Sequence, residues 1–254
     1  MAARIGVLPD IHMRTSHHDQ IADALRTAVE RLDQDDPDIV VAPGDIIQHG
    51  DNEHEDRSNL EDVRAILDEL DCPVQFLAGN HDVMHIDRDT LPDLFGNELW
   101  GRETVNSEQL IFLDSSSPWL SGSRGEITDE QLEFLDETLD DVKEATIFIH
   151  HPIHYHDVQG NYWWTNYPER AFCGNKKEIN RVISRHENVR AVFNGHLHEP
   201  DRTLYADIQH VTFNAFSREL PSKPVTGTNA TIDLGETVTV DVYEGNDEMR
   251  SYEF

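Results

Sequence analysis

The chain has 254 residues, with 50 acidic and 20 basic side chains and a formal net charge of −30. This excess of negative charge argues against binding to the phosphate backbone of a nucleic acid. No segment has the length and apolar character of a membrane span. The length suits one substantial hydrophobic core, so we expect a single domain over residues 1–254 with neither a nucleic-acid nor a membrane partner.

The acidic residues are dispersed along the chain instead of forming a tail. This distribution is typical of a solvated surface, and the composition is similar to that of halophilic proteins. In molar salt the Debye length falls to about 3 Å, which screens the repulsion among surface charges. The chain runs from Met1 into its first strand without an apolar signal segment and has only two cysteines, so we expect a cytoplasmic protein.

Strand and helix signals alternate along most of the chain. Apolar, β-prone runs predict strands at 4–8, 39–42, 74–78, 146–149, 189–193, 208–213, 230–234 and 237–243. Apolar residues at helical spacing predict helices near 19–32, 59–70, 129–139 and 176–186. Thr128 with Gln131 predicts a capping box at the start of the third helix. The order predicts an α/β fold with a β-rich C-terminal part.

Five short segments, each just after a predicted strand, contain metal-binding side chains. They are Asp10-Ile11-His12, Gly44-Asp45, Gly79-Asn80-His81-Asp82, His150-His151-Pro152 and Gly195-His196-Leu197-His198. Open α/β sheets hold their ligands at the carboxyl ends of strands, so we expect the five segments to converge at one sheet edge. In extended backbone, residues i and i+2 point the same way, which pairs Asp10 with His12 and His196 with His198. Two such pairs predict two metal ions.

The donors in these segments are carboxylate, amide and imidazole groups, without a thiolate. Such a set suits Mn, Fe, Zn or Co better than a sulfur-preferring ion. Asp45 is the expected bridge, because each oxygen of a carboxylate can bind one metal. Two divalent cations with the carboxylates of Asp10 and Asp45 leave a charge of roughly +2, a field suited to a phosphate ester and a hydroxide.

The order of the five segments and the residues in each one resemble the motifs of the calcineurin-like metallophosphoesterase family, which are D-x-H, G-D, G-N-H-D/E, H and G-H-x-H. The resemblance covers residues 4–243 and is greatest to the cyclic-nucleotide and glycerophosphodiester phosphodiesterases of bacteria and archaea. It implies a four-layer αββα sandwich of two mixed β-sheets flanked by helices. It also implies one ion held by Asp10, His12, Asp45 and His198, and a second held by Asp45, Asn80, His150 and His196.

The resemblance also marks two residues beside the ligands. His81 is expected to contact the phosphate and assist departure of the leaving group, with a purely structural role as the alternative, and Asp82 is expected to orient it. We expect His150 to be the ligand, while His151 forms a hydrogen bond nearby, and we expect His49 to be an ordinary loop residue. The remaining histidines expected on the surface or in packing roles are His17, His18, His54, His85, His186 and His210.

The segment 154–174 follows a metal-binding motif and is rich in aromatic residues. It also contains His154, His156 and Asn161. Long loops without clear secondary structure are often functional, so we interpret this segment as a loop or lid insertion. Its aromatic faces suit stacking on a nucleobase, ordinary loop packing or the contact of a homodimer.

These features predict a hydrolase for a small phosphoester substrate. The leading hypothesis is a phosphodiesterase for a cyclic nucleotide or glycerophosphodiester, acting through attack of a metal-bridging hydroxide. A phosphomonoesterase is the alternative. A nuclease agrees less well with the acidic surface, and a catalytically inactive scaffold agrees less well with the complete ligand set.

The acidic surface predicts that salt stabilises the fold. We expect the midpoint of thermal unfolding to rise between dilute buffer and molar KCl, because the Debye length falls from about 30 Å at 0.01 M to about 3 Å at 1 M. Circular dichroism over a KCl series measures this midpoint. A midpoint that does not change with KCl would show that surface repulsion does not limit stability.

Overall fold

Two six-stranded β-sheets and five α-helices make up the chain in this computed structural model, which describes residues 2–116, 124–218, 220 and 223–254. The strands are β1 Ala3–Val7, β2 Ile39–Pro43, β3 Val74–Leu77, β4 Gly101–Val105, β5 Glu108–Leu113, β6 Ala145–Ile149, β7 Val189–Asn194, β8 Asp201–Tyr205, β9 Ile208–Thr212, β10 Thr228–Leu234, β11 Val238–Glu244 and β12 Asp247–Glu253. The helices are α1 His18–Asp35, α2 Glu53–Leu67, α3 Leu91–Phe95, α4 Asp129–Asp141 and α5 Lys176–Ile183. Single 3-10 turns occur at Thr15–His17, Arg88–Thr90 and Pro168–Arg170.

Both sheets are mixed, and in each one the parallel strands carry the predicted metal-binding segments. The first sheet has the order β12-β11-β10-β1-β2-β3, in which β1, β2 and β3 are parallel. The second has the order β4-β5-β6-β7-β9-β8, in which β5, β6, β7 and β9 are parallel. Parallel strands end at the same edge of a sheet, so the loops after β1, β2 and β3 are neighbours, as are those after β6 and β7.

Three clusters of buried apolar residues separate four layers. Between the sheets, Val41 of β2 lies in the same cluster as Phe148 of β6. Leu25 of α1 belongs to the cluster on the outer face of the first sheet, and Leu135 of α4 packs with Ile147 on the outer face of the second. The predicted αββα sandwich is therefore confirmed. Among the described residues, no helix has both the length and the apolar composition needed to cross a membrane.

The predicted strands and helices are present, but the start of α2 and one half of the capping box at α4 differ from the sequence interpretation. Helix α2 begins at Glu53, well before residue 59, because the Asn52 side chain accepts hydrogen bonds from the amides of His54 and Glu55. At α4 the Thr128 hydroxyl caps the amide of Gln131, as predicted. The other half of the capping box is wrong, because the buried Gln131 side chain bonds instead to both backbone groups of Asp114.

Candidate metal centre

The five metal-binding segments converge where the carboxyl ends of the two sets of parallel strands meet. All seven predicted ligands are buried, with at most 7% exposure. One group of side chains with ligand atoms within 4.8 Å of one another consists of Asp10, His12, Asp45 and His198. A second group that meets the same criterion consists of His150, His151 and His196. Asn80 faces the cavity at this edge.

In the first group, imidazole nitrogens and carboxylate oxygens face a common space. His12 Nε2 lies 2.9 Å from His198 Nε2. Asp45 Oδ2 is 3.7 Å from His12 Nε2, and Asp10 Oδ1 is 3.8 Å from His198 Nε2. Nitrogen and oxygen donors in this number and spacing suit a divalent first-row metal ion. The four residues are those that the family resemblance assigns to one ion.

Asp45 joins the first group to the second. Its Oδ1 accepts a hydrogen bond of 2.8 Å from the amide of His81. Its Oδ2 lies 3.3 Å from His150 Nε2 as well as 3.7 Å from His12 Nε2. The sequence interpretation expected a bridge through both carboxylate oxygens. In the structure Oδ2 faces the His12 and His150 rings, whereas Oδ1 accepts from the His81 amide, and the bridging role stays a prediction.

His150 is fixed in the orientation that a ligand needs. Its Nδ1 donates to the Pro43 carbonyl at 2.9 Å, which directs Nε2 towards Asp45. Burial disfavours charge on both side chains, but their mutual attraction raises the pKa of His150 to about 9 and holds the pKa of Asp45 well below its usual value. The pair therefore forms a buried ionic contact between the two sheets.

His151 lies next to the second group and makes the nearby hydrogen bond that was expected. Its Nδ1 is 2.8 Å from the Ser115 hydroxyl, and its ring centroid is 4.2 Å from that of His196. The sequence interpretation chose His150 over His151 as the ligand. The structure brings both rings to the centre, so His151 is a further imidazole within reach of an ion bound there.

Burial leaves His12, His196 and His198 in the form that binds metal. It lowers the pKa of His12 and His196 well below the usual value, and that of His198 to about 3. These rings are therefore neutral at pH 7, as metal ligation requires. Burial also raises the pKa of Asp10 to about 7, because the carboxylate has left water.

Unpaired polar atoms provide an independent test of whether the centre suits a cation. Within the described residues, the buried side-chain atoms at the centre without a hydrogen-bond partner are Asp10 Oδ2, His12 Nδ1, Asn80 Oδ1, His150 Nε2 and His198 Nδ1. Leaving one such atom unsatisfied costs about 1–3 kcal/mol, and most buried polar atoms are paired. Cations held by Asp10 Oδ2, Asn80 Oδ1 and His150 Nε2 would satisfy a carboxylate, an amide and an imidazole together, so the residues present fit a metal centre. The Nδ1 atoms of His12 and His198 do not contribute to this test, because Nε2 of each ring faces the common space.

The backbone at the ligands is left-handed, which corrects the extended geometry expected from sequence. The five ligands with positive φ, between 45° and 68°, are Asp10, His12, Asp45, His196 and His198. Residues other than glycine rarely adopt this region, and such strain is concentrated at functional sites. Paired ligands at i and i+2 therefore converge through two left-handed residues instead of through extended backbone.

Two motif glycines make room for the carboxylates. A Cβ atom at Gly195 would overlap the Asp10 carboxylate, and one at Gly79 would overlap both the side chain and the amide of Asp45. The glycines directly before Asn80 and His196 are therefore consequences of close packing between loops from different strands.

His81 and Asp82 have different surroundings. The Nδ1 atom of His81 lies 2.8 Å from Nδ1 of His49, and the two rings stack with centroids 4.8 Å apart. Asp82 is fully buried and accepts hydrogen bonds from the amides of Ile47 at 3.0 Å and Gly79 at 2.8 Å. Both oxygens of Asp82 thus tie together the ligand loops after β2 and β3. The residue that contacts the His81 ring at Nδ1 is His49, which sequence reasoning treated as an ordinary loop residue.

The aromatic segment 154–174 packs on the loop that carries the last two ligands. The rings of Trp163 and Trp164 lie 4.6 Å and 4.5 Å from those of His198 and His196. The Asn161 side chain donates to the Leu197 carbonyl at 2.9 Å. A cavity of about 110 Å³ results, lined by Asp45, Gln48, Asn80, His81, Trp163, Trp164, His196 and His198. The segment therefore forms one wall of the cavity, and its action as a lid stays a prediction.

Comparisons with known proteins agree with this arrangement. The family model described as "Calcineurin-like phosphoesterase" matches residues 3–200. A probable cyclic nucleotide phosphodiesterase of Synechococcus sp. is 26% identical over 208 residues, covering 78% of this chain and 74% of that protein. A probable glycerophosphodiester phosphodiesterase of Arcobacter nitrofigilis is 29% identical over 188 residues, covering 68% of this chain and 60% of that protein.

Solved structures share the fold. A dimetal phosphatase from Danio rerio superposes with a TM-score of 0.76 at 19% identity, over 97% of this chain and 98% of that one. A purple acid phosphatase from yellow lupin gives a TM-score of 0.73 at 12% identity, over 100% of this chain and 53% of that one. The fold is therefore shared by proteins with little sequence identity to this one.

The packing of Gly195 against Asp10 predicts a loss of metal affinity in Gly195→Ala. The added methyl group must displace the carboxylate, so we expect weaker metal binding and a fall of about 1–3 kcal/mol in the free energy of unfolding. Gly235→Ala is the matched control, because a Cβ there meets its nearest neighbour at an ordinary 3.5 Å. Metal titration measures the affinity, and urea unfolding measures the free energy of unfolding. The same affinity and the same free energy of unfolding in the two variants would contradict the packing argument.

Proposed function

Because the chain belongs to the calcineurin-like phosphoesterase family, it is a metal-dependent phosphoester hydrolase, and we propose that it is a phosphodiesterase with two divalent cations. Its substrate would be a small phosphodiester such as a cyclic nucleotide or a glycerophosphodiester. The observation that carries the proposal is the position of Asp45 Oδ2, 3.7 Å from His12 Nε2 and 3.3 Å from His150 Nε2. One carboxylate oxygen then serves both groups of ligands.

The residues would divide between the two cations as the family resemblance implies. Asp10, His12 and His198 would hold one ion, and Asn80, His150 and His196 the other, with Asp45 between them. Mn, Fe, Zn and Co all suit these donors. Two bound cations supply positive charge that stabilises phosphate oxygens and lowers the pKa of water.

The protein's own residues would position the substrate. His81 lines the cavity beside Asp45 and Asn80, where its ring can contact a phosphate and serve the leaving group. His49 holds the His81 ring at Nδ1, and Asp82 holds the backbone of the ligand loops on either side. Trp163 and Trp164 close the opposite wall and keep water away from the ester. His81 is thus the proposed catalytic residue, and His49 and Asp82 are positioning residues.

The size of the cavity and the names of the relatives support a small diester. A volume of about 110 Å³ accommodates a phosphate group with little else, so the rest of the substrate would extend towards the exposed aromatic side chains of the segment. Tyr162, whose ring lies 5.2 Å from that of the cavity residue Trp163, is 71% exposed. Two matching relatives are described as probable phosphodiesterases, one for cyclic nucleotides and one for glycerophosphodiesters.

Two chromogenic substrates test the reaction class. With Mn²⁺ in high salt, we expect faster hydrolysis of bis-p-nitrophenyl phosphate than of p-nitrophenyl phosphate, measured as kcat/KM from p-nitrophenolate release. The reverse preference would identify a phosphomonoesterase. Absence of turnover with Mn²⁺, Fe²⁺, Zn²⁺ and Co²⁺ alike would support an inactive scaffold.

Removal of the shared carboxylate tests the proposed metal bridge. In Asp45→Ala we expect both ions of the centre and the activity to be lost together, because each ion loses a charged ligand. Metal analysis after dialysis and kcat on the diester measure the two losses. His54→Ala, at an exposed residue of α2, is the control. Full activity in Asp45→Ala would contradict the bridging assignment.

Removal of the His81 ring tests its proposed role separately from metal binding. His81→Ala should keep the metal content of the wild type, because the amide that contacts Asp45 remains. Its kcat should fall about 10²–10⁴-fold, the range typical of a general acid or base. The loss should be smaller with p-nitrophenolate as the leaving group than with an alkoxide, which needs a proton. Equal losses on both substrates would contradict the role in leaving-group departure.

A further inference from the structure

A third cluster of metal-binding side chains lies outside the dinuclear centre, at the beginning of the aromatic segment. His154, His156 and Asp201 each offer one ligand atom, and these atoms lie within 4.8 Å of one another. Asp201 Oδ2 is 3.1 Å from His156 Nδ1 and 3.6 Å from His154 Nε2. The two histidines follow the β6 motif, whereas Asp201 is the first residue of β8. The fold thus assembles this cluster from segments that are distant in sequence.

His154 is buried without the partners that a buried imidazole needs. Its exposure is 0%, and in the described part of the chain neither ring nitrogen has a hydrogen-bond partner. The separation of 3.6 Å from Asp201 is too long for a hydrogen bond. A neutral imidazole has one donor and one acceptor nitrogen, so both of its polar functions stay unsatisfied in the protein alone. A cation between His154 and Asp201 would satisfy one of them.

A second unsatisfied imidazole adjoins the cluster. His210 of β9 is 1% exposed, and its ring centroid lies 4.9 Å from that of His154. Neither of its nitrogens has a hydrogen-bond partner among the described residues. His210 is not one of the residues whose ligand atoms lie within 4.8 Å of one another, so it adjoins the cluster without belonging to it.

The charge at the cluster also suits a cation. Asp201 is the carboxylate among the ligand residues of this cluster, beside the two imidazoles. The Thr203 hydroxyl donates to Asp201 Oδ2 at 2.6 Å, which fixes the orientation of the carboxylate. A carboxylate oxygen with imidazole nitrogens is a ligand set found in tetrahedral zinc and cobalt sites.

We propose that His154, His156 and Asp201 form a third metal site, for one divalent cation of the zinc and cobalt type, with His210 beside it. The site lies between the start of the segment 154–174 and the strand that follows His198. A cation here would cross-link two segments that carry cavity residues, namely Trp163 and Trp164 on one and His198 on the other. The site is structural, because its ligands do not line the cavity of the dinuclear centre.

Metal content measures the third site directly. Purified protein is stripped with a chelator in molar KCl, reloaded with Co²⁺, dialysed and analysed for cobalt per chain. We expect three ions in the wild type and two in Asp201→Asn and His156→Gln. Asp207→Asn is the matched control, because this exposed residue of the β8–β9 turn has a left-handed backbone that Asn tolerates. A cobalt content in Asp201→Asn and His156→Gln equal to that of the control would overturn the proposal.

The same measurement separates this proposal from the dinuclear one. Asp45→Ala should retain a single cobalt ion, and Asp45→Ala with Asp201→Asn should retain none. If the dinuclear centre fails and the third site is real, the wild type holds one ion and loses it in Asp201→Asn. If the third site fails, the wild type holds two ions, and Asp201→Asn keeps both. Circular dichroism confirms folding, and the half-buried His156→Gln gives the decisive result if Asp201→Asn does not fold.

Discussion

The contact between Asp45 and His150 is the interaction on which the centre depends. Asp45 follows a strand of the first sheet and His150 follows a strand of the second, and their atoms approach to 3.3 Å in a fully buried position. The ligands of each sheet can surround a common space only if the two sheet edges meet at this point. The apolar residues between the sheets, such as Val41 and Phe148, fix that approach. The core therefore determines the geometry of the chemistry.

The sheet edge that carries the metal-binding residues contains features that lower the stability of the fold. Left-handed backbone at Asp10 and Asp45, glycine at Gly195 and unpaired atoms such as Asn80 Oδ1 each destabilise the protein alone. Bound cations would offset these costs by satisfying the buried donors together. The same reasoning applies at His154, where burial without partners again marks a place for a cation. Unsatisfied imidazoles are thus the common feature of the two regions.

The family resemblance implied the sandwich, whereas the periodicity showed only α/β alternation with a β-rich end. The convergence of the ligands was predicted because each motif follows a buried strand whose direction sets where the loop lies. The sequence interpretation did not predict β4, β5, β8 or β12. The side chains of β4, β8 and β12 are mostly exposed and lack the alternation of a half-buried strand, whereas most of β5 is buried. The contact of His49 with His81 and the cluster at Asp201 were also missed. Both depend on tertiary approach between segments, and neither has a local pattern that distinguishes it from an ordinary polar loop.

Anomalous diffraction from crystals of the Mn²⁺-loaded protein, recorded above and below the manganese edge, tests the central claim most directly. The account predicts two anomalous peaks at the dinuclear centre, one beside Asp10, His12 and His198 and one beside Asn80, His150 and His196. Asp45 Oδ2 should lie between the two peaks. A single anomalous peak at this centre would contradict the account. Two peaks without the Asp45 carboxylate between them would also contradict it.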